Sequence, residues 1–367
     1  MNQIKIVFVF FVVFLFQSCQ LGRFVFYNFA DIKDHKKFPS RTLQASDKPF
    51  VFYQAQEQRK PKELDINGKK LSFEKFLESQ NTVAFLIIRN DSILYENYFE
   101  NYQPGSDVPS FSVAKSVTSI LIGIAIQEGK ITSVEDPITK YLPEMKDPNM
   151  KKVKIRHLLD MTSGIDYIES YVNPFGDAAA FYYGRKLRNQ CAKMKCAKEP
   201  GTEFYYSSGN TQLLGLILDH VLAPQTVTSY LQEKLWTPLQ MQYGASWSID
   251  KKKNGMEKTF CCLNTKALDY AKIGRLYLNK GNWNGKQIIN EDWVINSTKV
   301  EEKDASVSYY NNQWWLPTKN GDFAAHGILG QYIYVNPARN LIMVRLGKSE
   351  GKMKNWFSFF VEISKYY

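Results

Sequence analysis

From Phe111 to Lys130 the chain reads FSVAKSVTSILIGIAIQEGK, which is apolar on nearly every side when wound as a helix. Val113, Ala114, Val117, Ile120, Leu121, Ile122, Ile124, Ala125 and Ile126 leave no wide polar stripe, so the pattern predicts a helix enclosed by other elements. A second enclosed helix is predicted where PGTEFYYSSGNTQLLGLILDHVL (200–222) turns at Pro-Gly and then becomes apolar. KALDYAKIGRLYLNKG (266–281) is amphipathic and ends at glycine, SFEKFLES (72–79) predicts a short helix, and KIRHLLDMTSG (154–164) predicts another stopped by Gly164. Strand signals sit near the two ends of the chain. TVAFLIIRN (82–90) and ILYENYFE (93–100) predict a hairpin turning at Asn90-Asp91, and QYIYVNP (331–337) and LIMVRLG (341–347) predict a pair around PARN. MKNWFSFFVEISKYY closes the chain as a helix, while 165–200 is mixed and aromatic with few strand signals.

Strands at both ends with helices between them predict an α/β chain of the α+β kind. One antiparallel sheet is assembled from both chain ends and flanked by helices, with a mainly helical middle region at about 115–265. The order is not a βαβ alternation, which argues against a parallel nucleotide-binding sheet. Residues 66–367 are expected to form this domain, and 19–65 a polar, Lys-rich tether and N-terminal extension whose one strand-like piece is FVFYQ (50–54).

The first residues have a different character. MNQIK is a short positive start, IVFVFFVVFLF (6–16) is too short to span a bilayer comfortably, and QSC follows at 17–19. This pattern resembles a bacterial lipoprotein signal. The resemblance implies that 1–18 is a signal peptide, that Cys19 carries lipid, and that the chain is exported and faces the periplasm or cell exterior from a membrane anchor. Phe16 and Gln17 depart from the strictest form of the cleavage box, and an uncleaved N-terminal anchor is the alternative.

Composition narrows the partners. The formal charge of +11 comes from lysines dispersed among acids, with only short basic runs at 151–154 and 251–253, so no nucleic-acid partner is expected. Beyond Cys19 stand Cys191, Cys196, Cys261 and Cys262, for which three disulfide pairings are open. C-x4-C beside an adjacent pair lacks zinc spacing, and neither a metal nor another cofactor is expected. Neither G-x-S-x-G nor H-E-x-x-H occurs, and His35, His157, His220 and His326 are the complete set of histidines.

The candidate chemistry lies at the start of the apolar helix. Ser-x-x-Lys occurs four times, but only at Ser112 and Lys115 does it open an apolar helix. Positions i and i+3 share a helix face, burial favours the neutral form of a lysine, and a neutral amine can take a serine proton. The competing reading is an N-cap at Ser110 or Ser112, with Lys115 reaching out to solvent along its stem.

FSVAKS, KIRHLLDMTSG, PGTEFYYSSGNTQLLG and AAHGILGQYIYVNP, in that order, resemble the serine β-lactamase-related family. That group holds class C β-lactamases, D-alanyl-D-alanine carboxypeptidases and esterases of one fold, and the likeness points to the branch with 6-aminohexanoate-dimer hydrolase. The resemblance implies that Ser112 is the nucleophile, Lys115 its partner and Tyr206 the tyrosine of the family's Tyr-x-Asn element. Ser208 stands where that element has asparagine. His326-Gly327 resembles the strand that borders the substrate and lends an N–H to the acyl oxygen, although its register against Lys-Thr-Gly or His-x-Gly is open. His157 is expected to be structural. A serine hydrolase of small esters or amides, some peptide-like, is the expected function. The alternatives are a penicillin-binding D-Ala-D-Ala carboxypeptidase or class C-like β-lactamase, and an inactive binding lipoprotein of the same fold. The missing asparagine and Lys-Thr-Gly weigh against efficient β-lactam turnover.

Overall fold

The two sets of strand signals meet in one sheet. The structure is a computed structural model that describes residues 29–66, 69–301 and 307–367. Thr82–Arg89 pairs on one side with Ser92–Tyr98 and on the other with Leu341–Gly347, which pairs in turn with Gln331–Asn336 and then Phe323–Gly327. Short strands Tyr310–Asn311 and Trp314–Trp315 extend one edge, and Tyr53–Gln54 adds an eighth strand at the other. That last strand runs parallel to its neighbour while all other pairings are antiparallel, and it is all that becomes of FVFYQ. The Asn90-Asp91 turn has positive φ at both residues, as a tight two-residue hairpin requires.

Both faces of this sheet are covered. Phe85, Ile87, Tyr332, Tyr334 and Met343 pack with helices Phe73–Ser79 and Trp356–Ser364. On the opposite face, Leu86, Ile88, Ile333, Ile342 and Val344 pack with helices Val113–Gln127 and Ala267–Leu278. Burial on both sides is why the central strands read as unbroken apolar runs. Helices Ile155–Leu159, Asp177–Tyr183, Leu187–Cys191, Ser208–Leu222 and Val227–Leu231 lie in the middle region, among turns and the strands Ala245–Ser248 and Leu263–Thr265.

Three expectations need correction. Across its described part, the extension is not a loose tether: Ser40–Leu43 pairs with Ala245–Ser248 in a separate four-stranded sheet, and Ile32, Leu43 and Phe52 are buried in the main core. A strand whose partner lies some 200 residues away leaves little local signal. The predicted signal and Cys19 fall outside the described residues. Gly164 does not stop the 154–164 helix, which ends at Leu159; instead a Cβ at Gly164 would sit 2.4 Å from the Lys198 carbonyl oxygen, so the glycine permits a close backbone crossing. The alternation reading also overlooked the short strands at 310–315, whose two-residue lengths are below what periodicity resolves. No helix among the described residues is long and apolar enough to cross a membrane.

One buried cation ties the strands together. Arg345, on Leu341–Gly347, is fully enclosed and lies over the Trp356 ring. Its guanidinium donates to Thr82 Oγ1 and to the carbonyls of Gln80, Gly330 and Ser349 at 2.7–3.1 Å. Gly330 belongs to the turn that follows Phe323–Gly327, so this side chain fixes the end of that strand. Arg345→Met strands these buried acceptors and is expected to lower stability by about 3 kcal/mol or more, read from the denaturation midpoint.

Candidate active site

Ser112 stands directly before helix Val113–Gln127, and its backbone is already helical. Phe111 precedes it at φ +43°, a conformation an L-residue adopts only when its surroundings impose it. Those surroundings are Ser110, whose N–H donates to the Leu263 carbonyl at 2.7 Å and whose hydroxyl accepts from the Leu263 N–H at 3.1 Å. The turn is thereby held open, with Ser112 half-buried at the floor of a cleft. Its side chain makes no capping bond, so the N-cap alternative does not describe Ser112.

Lys115 is 1% exposed, and its stem does not carry the amine to solvent. Nζ donates to Ser112 Oγ at 2.9 Å, Ser208 Oγ at 3.1 Å and the Phe260 carbonyl at 3.0 Å. Each acceptor comes from a different part of the chain. Ser208 opens helix Ser208–Leu222, which lies against the lysine's own helix. Phe260 is held in reach because Gln212 on that helix bonds the Glu257 carbonyl and the Thr259 N–H, while Thr118 bonds the Thr259 carbonyl. Burial pushes the Lys115 ammonium down to about 8, against the opposing field of Glu169.

Tyr206 joins this group. Its ring centroid lies 5.1 Å from Lys115 Nζ, and its phenol is near enough to Ser112 for the hydroxyl to influence its titration. Burial raises its pKa far above neutrality; the Ser112 hydroxyl lowers it and Glu169 raises it again. Burial therefore favours the protonated phenol. Ser112, Lys115, Tyr206 and Ser208 thus converge from positions nearly a hundred residues apart.

Gly327 also comes in. A Cβ built there would lie 2.3 Å from the Ser110 carbonyl oxygen and 2.9 Å from the Ser112 nitrogen. The strand end can approach the serine amide only because this residue has no side chain. His326 is not brought in. Strand alternation turns its ring to the opposite face, where it stacks on Tyr332 at 4.4 Å and meets Glu350 Oε1 at 3.1 Å, with Trp315 between it and Tyr206. The part of the element at the cleft is therefore Gly327, beside the Ser112 nitrogen, and Ile328, which lines the cleft. His157 packs its ring nitrogen on the Lys154 N–H at 3.2 Å, in keeping with a structural role.

The residue that sequence reading missed is Glu169. Oε1 accepts from Ser208 Oγ at 2.6 Å and Oε2 from the Ser208 N–H at 2.7 Å. It lies in IESYV within the aromatic stretch 165–200, where no spacing or periodicity singles it out. The cleft walls are largely apolar, formed by Phe111, Tyr167, Tyr171, Tyr182, Phe260 and Ile328. Of the open pairings, Cys261–Cys262 is the disulfide, and Cys191 and Cys196 are buried thiols. No group of three or more metal-ligating side chains is found among the described residues.

Comparison with known proteins bears on the family and the fold. The sequence model of the beta-lactamase family matches residues 73–357. The chain belongs to the beta-lactamase family. It is 28% identical over 305 residues to the 6-aminohexanoate-dimer hydrolase of Paenarthrobacter ureafaciens, covering 77% of each chain. Among solved structures it superposes with a TM-score of 0.80 on a Bacillus anthracis protein assigned provisionally as a 6-aminohexanoate-dimer hydrolase, at 24% identity over 90% of this chain and 91% of that one. EstCE1, a hydrolase with promiscuous acyltransferase activity, follows at a TM-score of 0.61 and 17% identity, over 80% of this chain and 96% of that one. These likenesses establish the serine-hydrolase fold of the family, with an antiparallel sheet and flanking helices.

Gly327→Ala inserts a methyl group between two backbones that cannot yield as a flexible side chain would. The variant is expected to keep its circular dichroism spectrum while hydrolytic activity on a short-chain ester falls by about 100-fold, as for a displaced reacting geometry.

Proposed function

We propose that the chain is a serine hydrolase that cleaves small esters or amides through an acyl-enzyme on Ser112. The observation that carries this reading is the Lys115 amine, buried, without a directly paired carboxylate among the described residues, and 2.9 Å from the Ser112 hydroxyl. An amine whose charged form is disfavoured is a base near neutral pH, and the atom it can deprotonate is the nucleophile. Ser112 Oγ attacks the substrate carbonyl as its proton passes to Lys115 Nζ. The acyl oxygen takes its negative charge toward the Ser112 N–H and the Gly327–Ile328 backbone, with the helix N-terminus adding its field. As the bond to the leaving group breaks, the departing oxygen or nitrogen takes a proton relayed from Lys115 through the neutral Tyr206 phenol. Water then attacks the acyl ester on Ser112 as its proton passes to Lys115; the acyl–Oγ bond breaks, that proton returns to Ser112 Oγ, and the acid is released.

Substrate class follows from the cleft. Apolar aromatic walls with one nearby carboxylate suit small neutral acyl groups and give no cationic grip for an extended anionic substrate. The relative from Paenarthrobacter ureafaciens is named for hydrolysing a dimer of an amino acid, which supports amides alongside esters. In the position of the family's asparagine, Ser208 has its hydroxyl occupied by Lys115 and Glu169, which argues against penicillin recognition through that residue. We further infer export and a lipid anchor on Cys19; the apolar stretch at 6–16 and the cysteine after it support this.

A fluorophosphonate probe is expected to label the protein, and Ser112→Ala to abolish labelling and reduce p-nitrophenyl ester hydrolysis by at least about 1,000-fold. Absence of labelling in the folded wild-type protein would favour the inactive binding reading, whereas labelling by fluorescent penicillin would favour the carboxypeptidase. Because the base is the neutral amine, kcat/KM is expected to rise with pH through about 8 and then level off. Lys115→Met is expected to lose about 10²- to 10⁴-fold and to abolish that limb. Cys19→Ser is expected to move the expressed protein from the membrane fraction to the soluble one in a fractionation blot.

A further inference from the structure

We propose that Glu169 is a positioning residue which, acting through Ser208, directs the free electron pair of the Lys115 amine at Ser112. The inference rests on the reading of Ser112 and Lys115 as the acyl-transfer pair and concerns what makes that pair productive.

A neutral lysine amine has two hydrogens and one electron pair, and it can take the serine proton only if that pair faces the serine. Three partners surround Nζ: Ser112 Oγ, Ser208 Oγ and the Phe260 carbonyl. The carbonyl can only accept. Ser208 could either accept or donate, because a hydroxyl rotates to suit its neighbours. Glu169 removes that choice. Its carboxylate oxygens accept, and Oε1 receives the single Ser208 hydroxyl proton at 2.6 Å. Toward the lysine, Ser208 then presents electron pairs alone. Both amine hydrogens are consumed by Ser208 and Phe260, and the electron pair is left for the third neighbour, which is Ser112.

Glu169 is itself firmly held. Its second oxygen receives the Ser208 N–H at 2.7 Å, at the positive end of helix Ser208–Leu222. Tyr171 donates to Oε1 at 2.5 Å, and the Glu169 N–H donates to Tyr205 Oη at 3.2 Å. The groups facing Lys115 are few. From the turn before its own helix comes Ser112, from the 204–208 segment Tyr206 and Ser208, and from the 260 loop Phe260; Cys261 and Cys262 are joined in a disulfide and do not titrate. Tyr167 and Tyr171 line the same cleft, and with Tyr206 they are kept neutral by burial. Glu169 is thus the charge whose field reaches the amine, and it favours the protonated form against burial. The carboxylate has two separable effects: it fixes the direction of the Ser208 proton and it raises the proton affinity of Lys115.

Ester hydrolysis by the full chain tests both effects. Glu169→Gln is expected to lower kcat by about 10- to 100-fold with KM little changed, since the amine is misdirected while the substrate walls remain. The acid limb of its pH profile is expected to move to lower pH, because the charge that favoured the ammonium is gone. Glu169→Asp keeps the charge but withdraws it from Ser208, so kcat should fall while the limb stays near its wild-type position. On a Ser208→Ala background, Glu169→Gln should add no further loss in kcat, because the two act through one bond. A wild-type kcat and unmoved limb in folded Glu169→Gln would overturn the proposal while Ser112-dependent labelling upholds the acyl-enzyme. So would fully additive losses in the double variant. If Glu169→Gln does not fold, Glu169→Asp decides alone, and wild-type kcat there overturns the proposal. Failure of the wild-type protein to react at Ser112 would overturn the acyl-enzyme reading and this inference with it.

Discussion

The constraint on which the site depends is the removal of one lysine amine from water. A buried ammonium with no carboxylate in direct contact is tolerated only where fixed dipoles replace its hydration, and Lys115 has three such acceptors at 2.9–3.1 Å. Each acceptor must be delivered by separate machinery. Ser112 is set by a strained turn, Ser208 by the start of a second buried helix, and Phe260 by a loop stitched to that helix through Gln212 and Thr118. Enclosing the amine and building the site are therefore the same structural event.

This explains why the helix carrying Lys115 is apolar all round. One side meets the main sheet and another meets Ser208–Leu222, so a polar stripe would have been buried wherever it was placed. The sheet in turn is closed by strands from both chain ends, and it brings Gly327 against the serine turn. Arg345 anchors the far end of that arrangement by holding Gly330. Even the N-terminal extension takes part, since Ala30 lines the same cleft as Ser112.

Protonation roles follow from environment more than from residue type. Burial disfavours the charged form of both groups, lowering the proton affinity of the Lys115 amine and making the Tyr206 phenol a weaker acid. In the proposed mechanism a neutral amine beside a neutral phenol serves as a relay in which a proton can move in either direction with little charge separation. Glu169 sits one hydroxyl away from this relay, near enough for its field and its bond to matter and too far to neutralise the amine as an ion pair. The local violations of ordinary rules, a left-handed Phe111 and a buried lysine, lie side by side where the chemistry is proposed.

Much of this was legible without coordinates. Continuous apolar runs marked the strands buried on both faces, the hairpin turn was written in Asn90-Asp91, and an apolar helix holding a lysine three residues after a serine marked the candidate site. These features are local: each is carried by residues close enough in the chain for periodicity or turn chemistry to record them. What remained hidden depended on which face a side chain turns to, or on which distant segment it meets. Strand alternation sent His326 away from the cleft and Gly327 into it; the pairing of Ser40–Leu43 turned a supposed tether into part of the fold. Glu169 had no spacing to betray it, because its partner lies 39 residues away, beyond two short helices. Local sequence determined the helices, the central strands and the serine–lysine pair, since short-range sterics and burial patterns act within a few residues. Only the tertiary structure decided which hydroxyl, carbonyl and carboxylate surround the amine, because hydrogen-bond direction and desolvation arise where separate segments close on one another.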